Sequence, residues 1–258
     1  MNKILFNVNC RLFTIDIGDI MGIIENTGLT MNVCGYLRGK IISAELAPGQ
    51  KLNEEHLSLS LGISRGPIRE ALRILENEHL VVTHPRKGSF VAELSIEDLN
   101  EVYEAREAIE CSAIDILMTK KIRDFSSVAS AVHNVSDLPF QRRDDANLLL
   151  VFREKITDFH VKLVELAGNS RLTRFYQALY FNLARYEYMY FSLPGTLEHS
   201  LEDHRKVLES LEAGDYENAK EFLKRHFNYS FNFQKSILEE KLKKTNPSIP
   251  SISKWEVG

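Results

Sequence analysis

Two groups of residues in this chain carry side chains at spacings suited to chemistry. In Ser64-Arg65-Gly66-Pro67-Ile68-Arg69-Glu70-Ala71-Leu72-Arg73, three arginines recur every four residues, which makes one basic stripe on a helix. Ile68, Ala71, Leu72 and Leu75 fall on a separate apolar face, and Ser64 stands where an N-cap fixes a helix start. A short amphipathic helix with arginines in its first turns suits the DNA major groove. Arg73 lies two turns in, so phosphate or solvent is its expected neighbour. The second group is His160, His204 and His226. Gly214 separates the segments that carry His204 and His226. As antiparallel helices rising about 1.5 Å per residue, these segments place both rings at nearly the same depth. His204 shares a face with Val207, Leu208 and Leu211, His226 with Phe222 and Leu223, and His160 with Leu163, Val164 and Ala167. Three inward imidazoles are a donor set for a divalent metal with positions open to a further ligand. Core histidines with satisfied nitrogens are the alternative.

The elements that must position these groups are legible from breakers and periodicity. Val33 to Ile42 reads as a first helix that ends before Leu46-Ala47-Pro48-Gly49. Asn53 caps a second helix over Glu54 to Leu61, and Gly62 turns the chain into Ser64. Val81-Val82-Thr83 and Ser89-Phe90-Val91 are strand-like runs joined by His84-Pro85-Arg86-Lys87-Gly88, the pattern of a wing. Residues 31–93 therefore read as a winged helix-turn-helix. Residues 31–92 hold eight Lys+Arg against six Asp+Glu, an excess of +2, so charge alone does not mark a nucleic-acid binder.

From Ser95 onward the pattern is helical. Ser95 with Asp98 resembles a capping box, and Leu94 with Leu99 its hydrophobic staple. Leu99, Val102, Ala105, Ile109, Ala113, Ile116 and Leu117 keep helical spacing. Further helices are expected over about 125–137, 145–167, 171–192, 196–212 and 215–242. Gly168-Asn169, Pro194-Gly195 and Gly214-Asp215 supply the breaks, giving an all-helical antiparallel bundle over 94–242. Arg106 stands one turn from Glu110; it either pairs with that carboxylate or holds a bound one bidentately. His133 and His199 have no supporting spacing and read as surface residues.

The chain has 258 residues, 44% of them hydrophobic, and a net charge of −4, which allows two domains with real cores in a mainly α protein. No apolar run approaches a membrane span. Cys10, Cys34 and Cys111 share no metal spacing and form no disulfide framework, which fits free thiols in a reducing cytoplasm. No catalytic Ser/His/Asp set, phosphate loop or dinucleotide fingerprint is present. Residues 1–30 have no assigned role: Met21 or Met31 is an alternative start, or the segment is a short regulatory or dimer-stabilising arm. Residues 243–258 read as an irregular tail. A helical metal-dependent oxidase or hydrolase is a competing class. Di-metal carboxylate enzymes place Glu three residues before His, whereas Thr157, Leu201 and Leu223 hold those positions here.

Ala47-Pro48-Gly49-Gln50-Lys51-Leu52, Leu61-Gly62-Ile63-Ser64-Arg65, Pro67-Ile68-Arg69-Glu70-Ala71-Leu72-Arg73 and the wing Pro85-Arg86-Lys87-Gly88-Ser89-Phe90-Val91 resemble the GntR family of bacterial transcriptional regulators. The likeness implies that Arg65 and Arg69 touch base edges, and that Gly88 lies against the minor groove. Ser64, Pro67, Arg86 and Lys87 complete the expected DNA-facing set. Glu55 departs from the basic residue that many members carry there. Arg106 with Glu110, Phe159-His160, Asp203-His204, Gly214-Asp215 and Ala219 leading to His226 resemble the FCD effector domain of the FadR-type branch. That branch commonly holds a divalent metal with three histidines and an aspartate. His160, His204 and His226 match the histidines, but the aspartate's position, one turn before His160, is Ile156; Asp158 points to another face. The resemblance implies zinc, nickel or manganese, held more weakly without the carboxylate. It further implies a cytoplasmic, nucleoid-associated homodimeric repressor that reads a palindromic operator and answers to a small carboxylate effector anchored by Arg106. An architectural DNA-binding dimer without an effector is the remaining alternative.

Overall fold

The computed structural model describes residues 3–8, 11–16, 26–136, 146–191, 193 and 195–245. An antiparallel hairpin of β1 (Lys3–Val8) and β2 (Arg11–Asp16) comes first. Helix α1 (Asn26–Ile42) begins well before the expected Val33. Its first turns, Asn-Thr-Gly-Leu-Thr-Met-Asn, have no apolar stripe to reveal them; Val33, Cys34, Leu37 and Ile41 are the buried face. After the Pro48-Gly49 turn come β3 (Lys51–Leu52), α2 (Glu54–Leu61), α3 (Arg65–Asn77), β4 (Val81–His84) and β5 (Gly88–Val91). The sheet order is β3-β5-β4, with Leu52 opposite Ser89 and Val82 opposite Phe90. Strand β3 has two residues, too few for alternation to show in a sequence.

Local chemistry fixes these starts and stops. Asn53 Oδ1 accepts from the Glu55 and His56 amides at 2.9 and 3.1 Å, and Gly62, at φ 67°, closes α2 in the left-handed region. Ser64 occupies the N-cap of α3 with extended backbone, but its hydroxyl makes no capping bond. Pro67 instead helps start the helix, in a first turn where a missing N–H costs no intrahelical bond. Ile68, Ala71, Leu72 and Leu75 pack with Val33, Leu37, Leu80, Val81 and Val91 into the core of this domain.

The bundle comprises α4 (Ile96–Thr119), α5 (Ser126–Ser136), α6 (Ala146–Leu166), α7 (Ser170–Phe191), α8 (Thr196–Glu212) and α9 (Tyr216–Thr245). Gly168, Gly195 and Gly214, all at positive φ, stand at the breaks. Ser95 Oγ accepts from the Asp98 amide at 3.0 Å, but the box is only half made. Asp98 accepts from the Tyr186 hydroxyl at 2.6 Å, and that same hydroxyl takes the Ser95 N–H at 3.4 Å. Aspartate is one methylene shorter than the glutamate of a full box, and tyrosine bridges the gap. The tail expected over 243–258 falls outside the described residues from 246 onward, and α9 runs through 245.

Helix α7 joins the two cores. Asn182 Nδ2 donates to the Glu78 carbonyl at 2.8 Å, and an Arg185 guanidinium nitrogen donates to the Ala92 carbonyl. The buried Arg38 pairs with Glu78 at 2.6 Å and lies 4.1 Å from the centre of the Phe181 ring. No helix among the described residues is long and apolar enough to cross a membrane.

Candidate nucleic-acid interface and metal centre

Burying one face of α3 leaves Arg65, Arg69 and Arg73 on its exposed side, with Ser64 exposed and Pro67 half-buried at its start. Neither of the first two arginines is free. Arg69 Nη2 lies 2.8 Å from Glu54 Oε2, and its Nε is 3.3 Å from both carboxylate oxygens. This bond holds the Glu54 carboxyl below its ordinary range. Arg65 Nη2 lies 3.0 Å from Glu55 Oε1. At the wing, Arg86 (φ 65°) and Gly88 (φ 97°) turn β4 into β5, and Arg86, Lys87 and Gly88 are exposed at its tip. These acidic partners of the arginines were not anticipated from the sequence, although Glu55 was visible there as a change of charge.

The bundle brings the three histidines together from α6, α8 and α9. Ring centres are 4.6 Å apart for His160–His204, 4.8 Å for His204–His226 and 5.3 Å for His160–His226. Each offers a ring nitrogen, and the three nitrogens lie within 4.8 Å of one another. Burial drives all three below the usual histidine pKa, helped by the Arg106 charge, so the neutral form that a metal needs prevails. His160 Nδ1 is 2.7 Å from Glu110 and His226 Nδ1 is 3.4 Å from Asp203, which leaves Nε2 of each for another partner. Such carboxylate–histidine pairs orient metal ligands. The buried Nε2 of His204 has no hydrogen-bond partner. An orphaned nitrogen facing two carboxylate-oriented imidazoles fits a divalent ion. Ile156 is buried and lines the same cavity as His160 and His226, so hydrocarbon stands where a carboxylate was expected. Asp158 does not join the group.

Arg106, 2% exposed, is also committed within the bundle. Its Nε is 2.9 Å from Glu110 Oε1, making a continuous chain Arg106–Glu110–His160. Burial works against the guanidinium charge, but Glu110, Tyr176, Tyr103 and Glu187 together outweigh it and keep Arg106 protonated. Glu187 lies 3.6 Å from both Arg106 Nη1 and Arg153 Nη1, and the Thr157 hydroxyl is 3.1 Å from its Oε2. Burial pushes the Glu110 carboxyl above its ordinary value, against the pull of Arg106. Beside them is a small cavity of about 10 Å³, lined by Arg106, Ile156, His160, Glu187, His226 and Gln234 among others. Sequence reasoning missed Glu187, Arg153 and Gln234. The signal was present for two of them: Glu187 shares a face with Leu183 and Tyr190, and Arg153 shares one with Ile156 and His160. Of the remaining histidines, His133 is exposed, while His199 is half-buried, 3.2 Å from Asp203 and stacked on Tyr229.

A winged helix-turn-helix with an arginine-bearing helix, joined through a shared helix to a bundle with a polar buried cavity, defines a one-chain DNA-binding regulator. Residues 29–91 match the family model for bacterial regulatory proteins, gntR family, and residues 101–229 match the FCD domain. The chain belongs to the GntR family of transcriptional regulators and carries an FCD domain. The uncharacterized HTH-type transcriptional regulator YdhC of Bacillus subtilis (strain 168) is 25% identical over 204 residues, covering 79% of this chain and 90% of that one. The HTH-type transcriptional repressor GlaR of Escherichia coli (strain K12) is 26% identical over 204 residues, covering 74% and 89%. A transcriptional regulator GntR from Rhodococcus sp. RHA1 shares the fold, with TM-score 0.65 at 24% identity over 80% of this chain and 97% of that one. The family and these relatives are transcriptional regulators, not enzymes.

Proposed function

We propose that the protein is a homodimeric repressor whose operator affinity is set by a small carboxylate effector bound in the helical bundle. Arg65 and Arg69 read base edges in the major groove, with Ser64 and Pro67 setting the entry of α3. Arg86, Lys87 and Gly88 form the wing contact. His160, His204 and His226 hold a divalent ion (zinc, nickel or manganese), and a carboxylate effector reaches Arg106 by displacing Glu187 and widening the adjoining cavity. When bound, the ion supplies positive charge near the protonated Arg106, so an anion is the matching guest. That GlaR is called a repressor supports the sign of regulation.

The observation that carries this reading is the cluster of three buried, neutral histidines with an unpartnered His204 nitrogen beside Arg106. Helix α7 supports the coupling: it offers Glu187 and Tyr190 to the cavity, and Asn182 and Arg185 to the DNA-binding domain. An effector that repositions Glu187 biases how α7 grips Glu78 and Ala92. The test is elemental analysis of untagged protein after mild dialysis, followed by thermal melting with a panel of hydroxy and amino acids. About one divalent ion per chain and a raised Tm with at least one acid are expected. No metal and no shift with any acid would leave the bundle as a dimerisation module only.

A further inference from the structure

The two arginines offered to bases are both gripped by acids of the preceding helix, and the geometry of the grip matters. A guanidinium has five N–H groups. Glu54 takes Arg69 from the side, through Nε and Nη2. That leaves the end of the fork, Nη1 with the second Nη2 hydrogen, which is the edge that fits guanine O6 and N7. Glu55 Oε1 approaches Arg65 at Nη2, 3.0 Å away. Both acids sit in the first turn of α2, whose start is fixed by the Asn53 cap on the Glu55 and His56 amides. The arginine side chains are 55% and 59% exposed, so they remain within reach of a duplex.

Charge adds a second consequence. Attraction to DNA of any sequence comes from cations meeting phosphates. Two carboxylates beside two guanidiniums cancel much of that attraction where α3 meets the groove, in a domain whose excess over residues 31–92 is only +2. A duplex that offers guanine at the right place recovers its affinity through the free arginine ends; other duplexes do not.

Resting on the reading of α3 as the DNA-contacting helix, we propose that Glu54 and Glu55 are specificity-determining positioning residues. Glu54 holds Arg69 from the side with the end of its fork open to guanine, Glu55 holds Arg65 at one end nitrogen and leaves its remaining N–H groups for a base, and both suppress binding to DNA that lacks guanine there. Exposed ion pairs add little to folding stability, so their removal leaves the domain folded.

The experiment uses the full chain. Preferred duplexes are selected from a randomised pool with the wild type. Affinities of wild type, Glu54→Ala, Glu55→Ala, Glu54→Gln and Glu55→Gln are then measured for the preferred duplex, for versions with each G·C pair replaced by A·T, and for an unrelated duplex, between 50 and 200 mM salt. The alanine variants are expected to bind the unrelated duplex more tightly, with a salt slope steeper by about one, and to lose about tenfold in guanine discrimination at one pair per half-site. The glutamine variants keep a hydrogen-bonding side chain, so they retain the guanine preference while also binding unrelated DNA more tightly. Unchanged base preference in both alanine variants overturns the proposal even if their overall affinity rises. If the wild type enriches no sequence, the DNA-reading assignment of α3 falls, and this proposal with it.

Discussion

Glu110 shows how much a single buried side chain carries in this protein. One oxygen takes Arg106 and the other takes His160, so its carboxylate ties the cavity's cation to a metal-ligand candidate. Glu110→Gln removes half of a buried ion pair and is expected to cost about 3 kcal/mol of stability as well as metal affinity. Asp203, partly exposed, with the His226 imidazole 3.4 Å and the His199 imidazole 3.2 Å from its carboxylate, separates the two effects. Asp203→Asn should lower affinity for zinc about tenfold with little change in Tm, read by chelator competition and thermal melting. Loss of Tm without loss of zinc affinity would assign Asp203 a purely structural role. The three histidines were legible because each stands on an apolar helix face, whereas the Arg106–Glu110 spacing left pairing and a bound carboxylate both open. Arg153 and Glu187 each stand on an apolar helix face, so their burial was legible; their contact was not, because nothing in one helix names its partner on the other.

Among the elements, α7 links the two halves. Its positions 182 and 185 hold main-chain carbonyls of Glu78 and Ala92, which close α3 and follow β5, while position 187 meets both buried arginines. Leaving either carbonyl unpaired costs about 1–3 kcal/mol where it is buried. A double variant, Asn182→Ala with Arg185→Ala, should therefore still gain Tm from the effective acid but lose that acid's influence on operator binding. If operator response survives in this variant, coupling runs elsewhere. Helix limits were largely readable from Gly168, Gly195 and Gly214. The early start of α1 and strand β3 were not, since polar turns and two-residue strands have no periodicity. The capping box of α4 was read as local, yet a tyrosine from α7 completes it.

At the scale of the molecule, two separate apolar cores, one behind α3 and one inside the bundle, are bridged by α7, which packs Phe181 on the first and Leu183, Tyr186 and Tyr190 in the second and adds directional polar contacts to both halves. The fold class followed from the order of breakers and from periodicity. The association of the halves did not, because hydrogen bonds from α7 to backbone carbonyls leave no trace in side-chain patterning. Such a bridge passes a change in one core to the other only if two arrangements differ in free energy, and the effect is then reciprocal. The direct measurement is the affinity of the protein for its selected palindromic duplex, by fluorescence anisotropy, with and without a saturating concentration of the acid that raises Tm. A change of about 5- to 150-fold is expected, matched by the same factor in the acid's affinity when the duplex is present. Identical duplex affinity in both conditions would contradict this coupling.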